Sequence, residues 1–160
     1  ERRFFRRSAV MGDIELMFLG QYEHTIDEKG RLTIPSRFRE VLDSGAYITR
    51  GFRNNLVVLT PASFAKMTSD IGDISFTDLK GQDLRRWIFA HAVWAEVDRA
   101  GRILIPPFLR NHAQLVNGAI FVGNGDYFEI WSTETWQNHN DSLDLENTIQ
   151  QFSAFNVRLK

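Results

Sequence analysis

A thirteen-residue stretch occurs twice in the chain, and this duplication constrains the fold more than any other feature. DEKGRLTIPSRFR begins at residue 27 and DRAGRILIPPFLR begins at residue 98. When Asp27 is aligned with Asp98, six of the thirteen positions are identical. The similarity continues past the motif, where GAYITRG resembles GAIFVGN. We infer an internal duplication, which predicts two copies of one supersecondary unit.

Each copy of the motif begins with the chemistry of a tight turn. An Asp carboxylate can accept hydrogen bonds from nearby backbone amides, and a Gly adopts a positive φ at low cost. Asp27 and Gly30 supply this pair in the first copy, and Asp98 and Gly101 supply it in the second. Loosely alternating residues before the turn and branched residues after it predict a strand on each side. The motif is therefore predicted to form the tip of a β-hairpin.

A short helix is predicted after each hairpin. Pro35 and Pro106 end the second strand and are expected to open the first helical turn, where a missing N–H costs little. Apolar residues at helical spacing follow, and Gly45 stands where a C-terminal cap is expected. The second copy repeats this pattern before Gly118.

The remaining segments predict further strands and helices. AYIT and LVVL in the first copy, and AIFV and YFEIW in the second, read as paired strands. A capped helix is predicted after each pair, a third over Thr77 to His91, and a last one over about 141–155. A β-rich unit of about 45 residues is marginal alone, so the two copies are expected to share a core.

Composition narrows the class of protein. The chain has 160 residues, a formal charge of −1 and no cysteine, which excludes disulfides and thiolate metal sites and favours an intracellular protein. No segment approaches the roughly 20 apolar residues of a membrane helix. ERRFFRR at the start carries +3, so residues 8–160 carry −4. Any nucleic-acid contact must therefore be local.

The motif D-x-x-G-R-[LI]-x-I-P, present twice and each time followed by a short helix, resembles the SpoVT/AbrB type of swapped-hairpin DNA-binding unit. Two such units in tandem resemble the bacterial MraZ family over about residues 17–140. The resemblance implies an α+β fold, in which two swapped-hairpin β-α-β units interlock into an intrachain pseudo-twofold β-barrel with short helices.

The same resemblance implies a function and partners. It implies a transcriptional regulator of the division and cell-wall gene cluster that binds direct repeats of double-stranded DNA in its own promoter. It also implies a homo-oligomeric ring, located in the cytoplasm at the nucleoid. No cofactor, metal, membrane or small-molecule substrate is expected.

Basic residues at the hairpin tips are the candidate DNA contacts. Arg31 and Arg102 follow the turns, and a guanidinium offers a planar fork to a phosphate or to the O6/N7 edge of guanine. Lys29 and Arg99 add charge toward the DNA backbone. The family resemblance implies that Arg31 matters most. Basic residues on the following helix are expected to serve solubility or subunit contacts, and are left out of the site: Arg37, Arg39 and Arg110.

Three alternatives to this function remain open. An enzyme is disfavoured because His24, His91, His112 and His139 show no metal-ligand spacing and no catalytic motif occurs. An oligomeric scaffold without a DNA-binding role would share the packing but not need the hairpin arginines. An antitoxin-like regulator would need a disordered toxin-binding tail, whereas the end of this chain is predicted to be helical.

The predicted organisation has five parts. Residues 1–16 read as an extension that is disordered or the product of a mis-assigned start. The others are a SpoVT/AbrB-like domain over 21–63, connecting helices over 64–91, a second such domain over 92–135, and a helical segment over 136–160.

Overall fold

The computed structural model describes residues 16–157. The expectation for the N-terminal extension therefore falls almost wholly outside the described part of the chain. Within it, each copy of the repeat contributes four strands and three helices in the same order. In the first copy these are β1 (Gln21–Thr25), β2 (Arg31–Thr33), α1 (Ser36–Leu42), β3 (Gly45–Arg50), β4 (Asn55–Leu59), α2 (Pro61–Gly72) and α3 (Leu79–Phe89). In the second they are β5 (Val93–Glu96), β6 (Arg102–Leu104), α4 (Pro107–His112), β7 (Gly118–Gly123), β8 (Tyr127–Ser132), α5 (Thr133–Asp141) and α6 (Leu145–Ser153).

The strand order is symmetric: replacing each strand by its counterpart in the other copy gives the same order, read from the opposite edge of the sheet. Six strands form one antiparallel sheet in the order β1-β7-β8-β4-β3-β5, and the other two form the antiparallel β2–β6 ribbon. The first strand of each copy therefore pairs with the third strand of the other copy. The fold is α+β with two interlocked tandem units, as predicted, and the closure of the strands into a barrel stays a prediction.

This exchange of strands shortens the predicted hairpin. β1 and β2 meet only at the bridge between Ile26 and Leu32, because β1 continues into the large sheet while β2 pairs with β6. The motif is thus a tight turn between two diverging strands, and each turn is held by both copies of the repeat.

The core joins the sheet to the ribbon and to helices α1 and α4. Leu32 and Ile103 face each other across the ribbon, and both are fully buried. Phe38 of α1 packs edge-on against Phe18, with the ring centroids 5.2 Å apart, and Phe128 of β8 lies 4.9 Å from Phe38. These residues come from both copies, so neither copy has a complete core alone.

Two details of the short helices differ from the prediction. Gly45 and Gly118 do not cap them, because each is the first residue of the next strand. The residues with positive φ after these helices are Asp43, with φ of 60° and ψ of −106°, and Gln114, with φ of 55°. After α1 the N–H of Asp43 donates to the carbonyl oxygen of Arg39 at 3.1 Å, and after α4 the N–H of Leu115 donates to the carbonyl oxygen of Arg110 at 2.9 Å.

The other predicted helices are present. α3 begins after Asp78, whose side chain accepts from the N–H of Gly81, and it buries Ile88. Thr60 and Ser132 cap α2 and α5 through their side chains. Across residues 16–157, no helix has the length and apolar character that crossing a membrane requires.

We predict that the ribbon's central pair is required for stability. Leu32→Ala should lower the free energy of unfolding by about 2–5 kcal/mol, because the cavity would lie in a core that cannot collapse around it. Leu104→Ala is the matched control in the partner strand; Leu104 is 55% exposed, so its change should stay within about 0.5 kcal/mol. Urea denaturation measures both, and similar losses in the two variants would contradict this assignment of the core.

Candidate nucleic-acid interface

The first turn is organised around one carboxylate. Oδ1 of Asp27 accepts hydrogen bonds from the backbone N–H groups of Lys29 and Arg31, both at 2.9 Å. Oδ2 accepts from Nε of Arg31 at 2.7 Å. The Asp therefore shapes the backbone and also fixes the direction of the guanidinium that follows the turn.

The second turn has the same hydrogen bonds. Oδ1 of Asp98 accepts from the N–H groups of Ala100 and Arg102 at 2.9 Å, and Oδ2 accepts from Nε of Arg102 at 3.0 Å. Gly30 and Gly101 have φ of 80° and 76°, a conformation that favours glycine. Each turn therefore combines an Asp that accepts from two backbone N–H groups with a glycine of positive φ.

The two turns lie beside each other because the ribbon connects them. The N–H of Ile34 donates to the carbonyl oxygen of Gly101, and the N–H of Ile105 donates to that of Gly30, both at 2.9 Å. A guanidinium nitrogen of Arg102 lies 3.9 Å from Oδ2 of Asp27. The two motifs, far apart in the chain, therefore form one continuous surface.

All four predicted DNA-contacting residues belong to this surface. Lys29 and Arg99 are exposed at the turns, while the side chains of Arg31 and Arg102 are 31% and 32% exposed. In residues 16–157, the terminal nitrogens of Arg31 form no hydrogen bond, since only its Nε is used by Asp27. A guanidinium that is held at Nε and open at its terminal nitrogens is arranged to donate to an anion or to a base edge.

Electrostatics at the turns favours the charged carboxylates. The backbone N–H of Arg31 is the main cause that lowers the pKa of Asp27, and the side chain of Arg31 adds to it against the opposing effect of desolvation. The backbone N–H and side chain of Arg102 lower the pKa of Asp98 in the same way. Both Asp residues therefore stay ionised at neutral pH, and they keep their arginines oriented.

The structure corrects the expectation for two basic residues of the short helices. Arg37 is exposed on α1, as predicted, but Arg39 and Arg110 are half-buried. The guanidinium of Arg39 lies against Gly101, and that of Arg110 lies against Gly30. The signal was present in the sequence, because these arginines are identical when the two motifs are aligned. It was missed because helical position alone does not show which turn a long side chain reaches.

A large cavity lies away from the turns. Its volume is about 700 Å³, and it is lined by residues of the sheet and of helices α2 and α5, including Glu129, Trp131 and His139. Burial raises the pKa of Glu129, against the hydrogen bond that the side chain of Asn55 donates to it. No residue of either turn lines this cavity. In the described part of the chain, no group of His, Asp and Glu is placed to hold a metal ion.

The fold and the surface of the two turns define the class of protein. It is a tandem-repeat protein with two interlocked copies, and each copy presents the same basic turn anchored by an Asp. The family model described as "MraZ protein, putative antitoxin-like" matches residues 17–86 and again residues 88–157. The chain belongs to the MraZ family.

Relatives support this membership over most of the chain. The transcriptional regulator MraZ of Herpetosiphon aurantiacus is 41% identical over 143 residues, which cover 88% of this chain and 100% of that protein. The transcriptional regulator MraZ of Roseiflexus castenholzii is 42% identical over 133 residues, covering 83% and 93%. That of Thermomicrobium roseum is 42% identical over 130 residues, covering 81% and 92%.

We predict that the turn carboxylates stabilise the fold in a pH-dependent way. The pKa of Asp98 is lower than its ordinary 3.8, so its contribution is present above that value and is lost as the pH falls through the lower pKa of the folded state. Asp98→Asn should therefore lower the urea midpoint at pH 7 and have a smaller effect near pH 3.

The matched control is Asp83→Asn. Asp83 also pairs with an arginine, but its side chain is 80% exposed on α3, so the midpoint should change little at either pH. If the loss caused by Asp98→Asn were equal at pH 7 and pH 3, the charge of the carboxylate would not be its source.

Proposed function

We propose that this chain is a sequence-specific DNA-binding transcriptional regulator, and that its two Asp-anchored turns contact the DNA. This proposal rests on the geometry of Arg31: Asp27 fixes its guanidinium at Nε, and its terminal nitrogens have no hydrogen-bond partner among residues 16–157. The relatives named above are transcriptional regulators, which supports a regulator and gives no support to an enzyme.

Roles can be assigned to the basic residues of the turns by their chemistry. Arg31 and Arg102 have defined directions, so they are suited to bidentate contacts with a guanine edge or with a phosphate. Lys29 and Arg99 are exposed and long, and they would neutralise phosphates without reading sequence. Both turns supply one residue of each kind, so both copies of the motif would contact DNA.

The finer proposal concerns the DNA site. Following the family resemblance, we propose that the protein controls the division and cell-wall gene cluster, binds direct repeats in its own promoter, and acts in the cytoplasm at the nucleoid. The charge of the chain supports a local contact, since its net charge is −1. A few phosphate contacts bind weakly and lose affinity steeply with salt.

Several chains acting together would overcome this weakness. Linked modules gain about 10²- to 10⁴-fold in avidity when their spacing matches that of their sites. We propose a homo-oligomer, in ring form as the resemblance implies, which presents several pairs of turns to one DNA. A repeated protein surface would then bind a repeated DNA sequence.

Helix α6 supports this assembly. Its residues Leu145, Ile149 and Phe152 are 73%, 61% and 60% exposed although they lie on one helical face. The family match assigns α6 to the end of the second repeat, as it assigns most of α3 to the end of the first. α3 packs on its own sheet, where Thr49 donates a hydrogen bond to the carbonyl oxygen of Ile88 at 2.6 Å. The corresponding helix packs on the sheet in one copy and leaves its apolar face exposed in the other, which supports a contact between α6 and a second chain.

We predict that Arg31→Ala weakens binding to the DNA immediately upstream of the gene by roughly 5- to 150-fold, as expected for the loss of a base-contacting arginine. Arg86→Ala is the control, because Arg86 is exposed on α3 and, among residues 16–157, pairs only with its own helix. Fluorescence anisotropy at low salt measures the affinities, and light scattering measures the oligomer.

Two outcomes would contradict the proposal. If the wild-type protein failed to bind this DNA at low salt, the proposed function would be wrong. If Arg31→Ala broke up the oligomer, and DNA binding fell only as far as the loss of assembly accounts for, the scaffold without a DNA-binding role would be favoured.

We also predict that α6 links assembly to avidity. Phe152→Asp should lower the mass of the assembly in light scattering, and should reduce the affinity for a DNA array toward that for a single repeat, because fewer turns then bind at once. Gln151→Asp places the same charge one residue away on the polar side of the helix, and should change neither quantity. Array binding that survives the loss of assembly would refute the multivalent mechanism.

A further inference from the structure

Two arginines outside the turns lie directly against the turn glycines. A β-carbon built on Gly30 would stand 2.8 Å from Cζ of Arg110, and one built on Gly101 would overlap a terminal nitrogen of Arg39. The glycines therefore leave room for guanidinium groups. Because each glycine directly precedes Arg31 or Arg102, every turn has two guanidinium groups close to its tip.

Each of these contacts joins one copy of the repeat to the other. Arg39 belongs to α1 of the first copy and reaches the turn of the second, and Arg110 belongs to α4 of the second copy and reaches the turn of the first. These contacts between copies arise from the ribbon, because the pairing of β2 with β6 places the short helix of each copy beside the turn of the other copy. Neither copy can form the complete arrangement alone.

The charges of these two arginines are not balanced locally. Asp27 and Asp98 bind Arg31 and Arg102 through Nε. Within the described part of the chain, neither Arg39 nor Arg110 forms a salt bridge, and Nε of Arg110 is buried with no hydrogen-bond partner. The two turns and the two helix arginines together contain six basic residues and three acidic residues. The basic ones are Lys29, Arg31, Arg39, Arg99, Arg102 and Arg110, and the acidic ones are Asp27, Glu28 and Asp98.

We propose that Arg39 and Arg110 are phosphate-binding residues, and that each turn binds a DNA backbone phosphate between its own arginine and the arginine of the opposite copy. Two guanidinium groups near one turn are like charges, and a phosphate between them would offset their repulsion and accept hydrogen bonds from their terminal nitrogens. This inference rests on the proposed DNA-binding function and adds two residues and a shared construction to it.

A purely structural role would not require this chemistry. The aliphatic stem of an arginine can pack over a glycine, but an uncharged side chain of similar length would do the same without an unpaired buried Nε. Both arginines are identical in the aligned motifs and symmetrically placed, which points to one shared use. The second motif, DRAGR, then has the same binding apparatus as the first.

The test uses the full-length protein and a duplex that carries the upstream DNA. The variants are Arg39→Gln, Arg110→Gln and the double substitution, with Arg37→Gln as a control on the exposed side of α1. Affinity is measured across a series of salt concentrations. Each lost phosphate contact should reduce the slope of log K against log salt by about 0.9, so the double variant should lose about 1.8 for each chain that contacts the duplex.

Specificity provides a second readout. Phosphate contacts position the protein without reading sequence, so the double variant should weaken binding to the upstream DNA and to a scrambled duplex by similar factors. Arg39→Lys and Arg110→Lys keep the charge and should keep most of the slope. Arg37→Gln should leave the slope unchanged.

The outcomes separate this inference from the proposed function. If the wild type does not bind the upstream DNA, the proposed function fails. If the wild type binds and depends on Arg31, but the double Gln variant keeps its salt slope and only melts earlier, Arg39 and Arg110 are structural and this inference is wrong. If the double variant does not fold, the single variants decide, and each should change the slope by about 0.9 per chain bound to the duplex.

Discussion

The antiparallel pairing of β2 with β6 is the interaction on which the rest of the structure depends. It is only three residues long on each side, yet it buries Leu32 against Ile103 and brings the two turns together. Cross-strand pairs of this kind are the unit of sheet stability. Because the ribbon joins the copies, the shared core, the exchange of first strands and the combined basic surface all follow from one contact.

The turn carboxylates connect stability to recognition. Asp27 holds two backbone N–H groups and one guanidinium nitrogen, so the residue that closes the turn also directs Arg31. A guanidinium fixed in advance loses less conformational entropy on binding than a free one. The cost is that Nε is already occupied, which leaves the terminal nitrogens for the ligand. This arrangement explains why an Asp and an Arg recur together four residues apart in both copies.

The sequence was sufficient to predict the repeat, the strands and the turns, because Asp, Gly and Pro act locally and leave a strong pattern. It also pointed to the four basic side chains at the two turns, whose contact with DNA stays a prediction, but not to the adjacency of the turns, which the β2–β6 ribbon causes. The capping positions were wrong, since Asp43 and Gln114 take conformations that are usually given to glycine. Arg39 and Arg110 were overlooked because their neighbours are set by the exchange of strands, which no local pattern of residues specifies.

The two copies share a backbone arrangement but differ in what they present. The first turn carries Glu28 and Lys29, whose charges cancel, whereas the second carries Arg99 and Ala100 and is more basic. The identical hydrogen bonds at Asp27 and Asp98 mean that this difference cannot come from the shape of the turn. The two turns therefore differ in the charge and the length of their exposed side chains, on one shared backbone arrangement. A duplicated motif within one chain can therefore carry different charges in its two copies, whereas a symmetric dimer of identical chains must present identical residues.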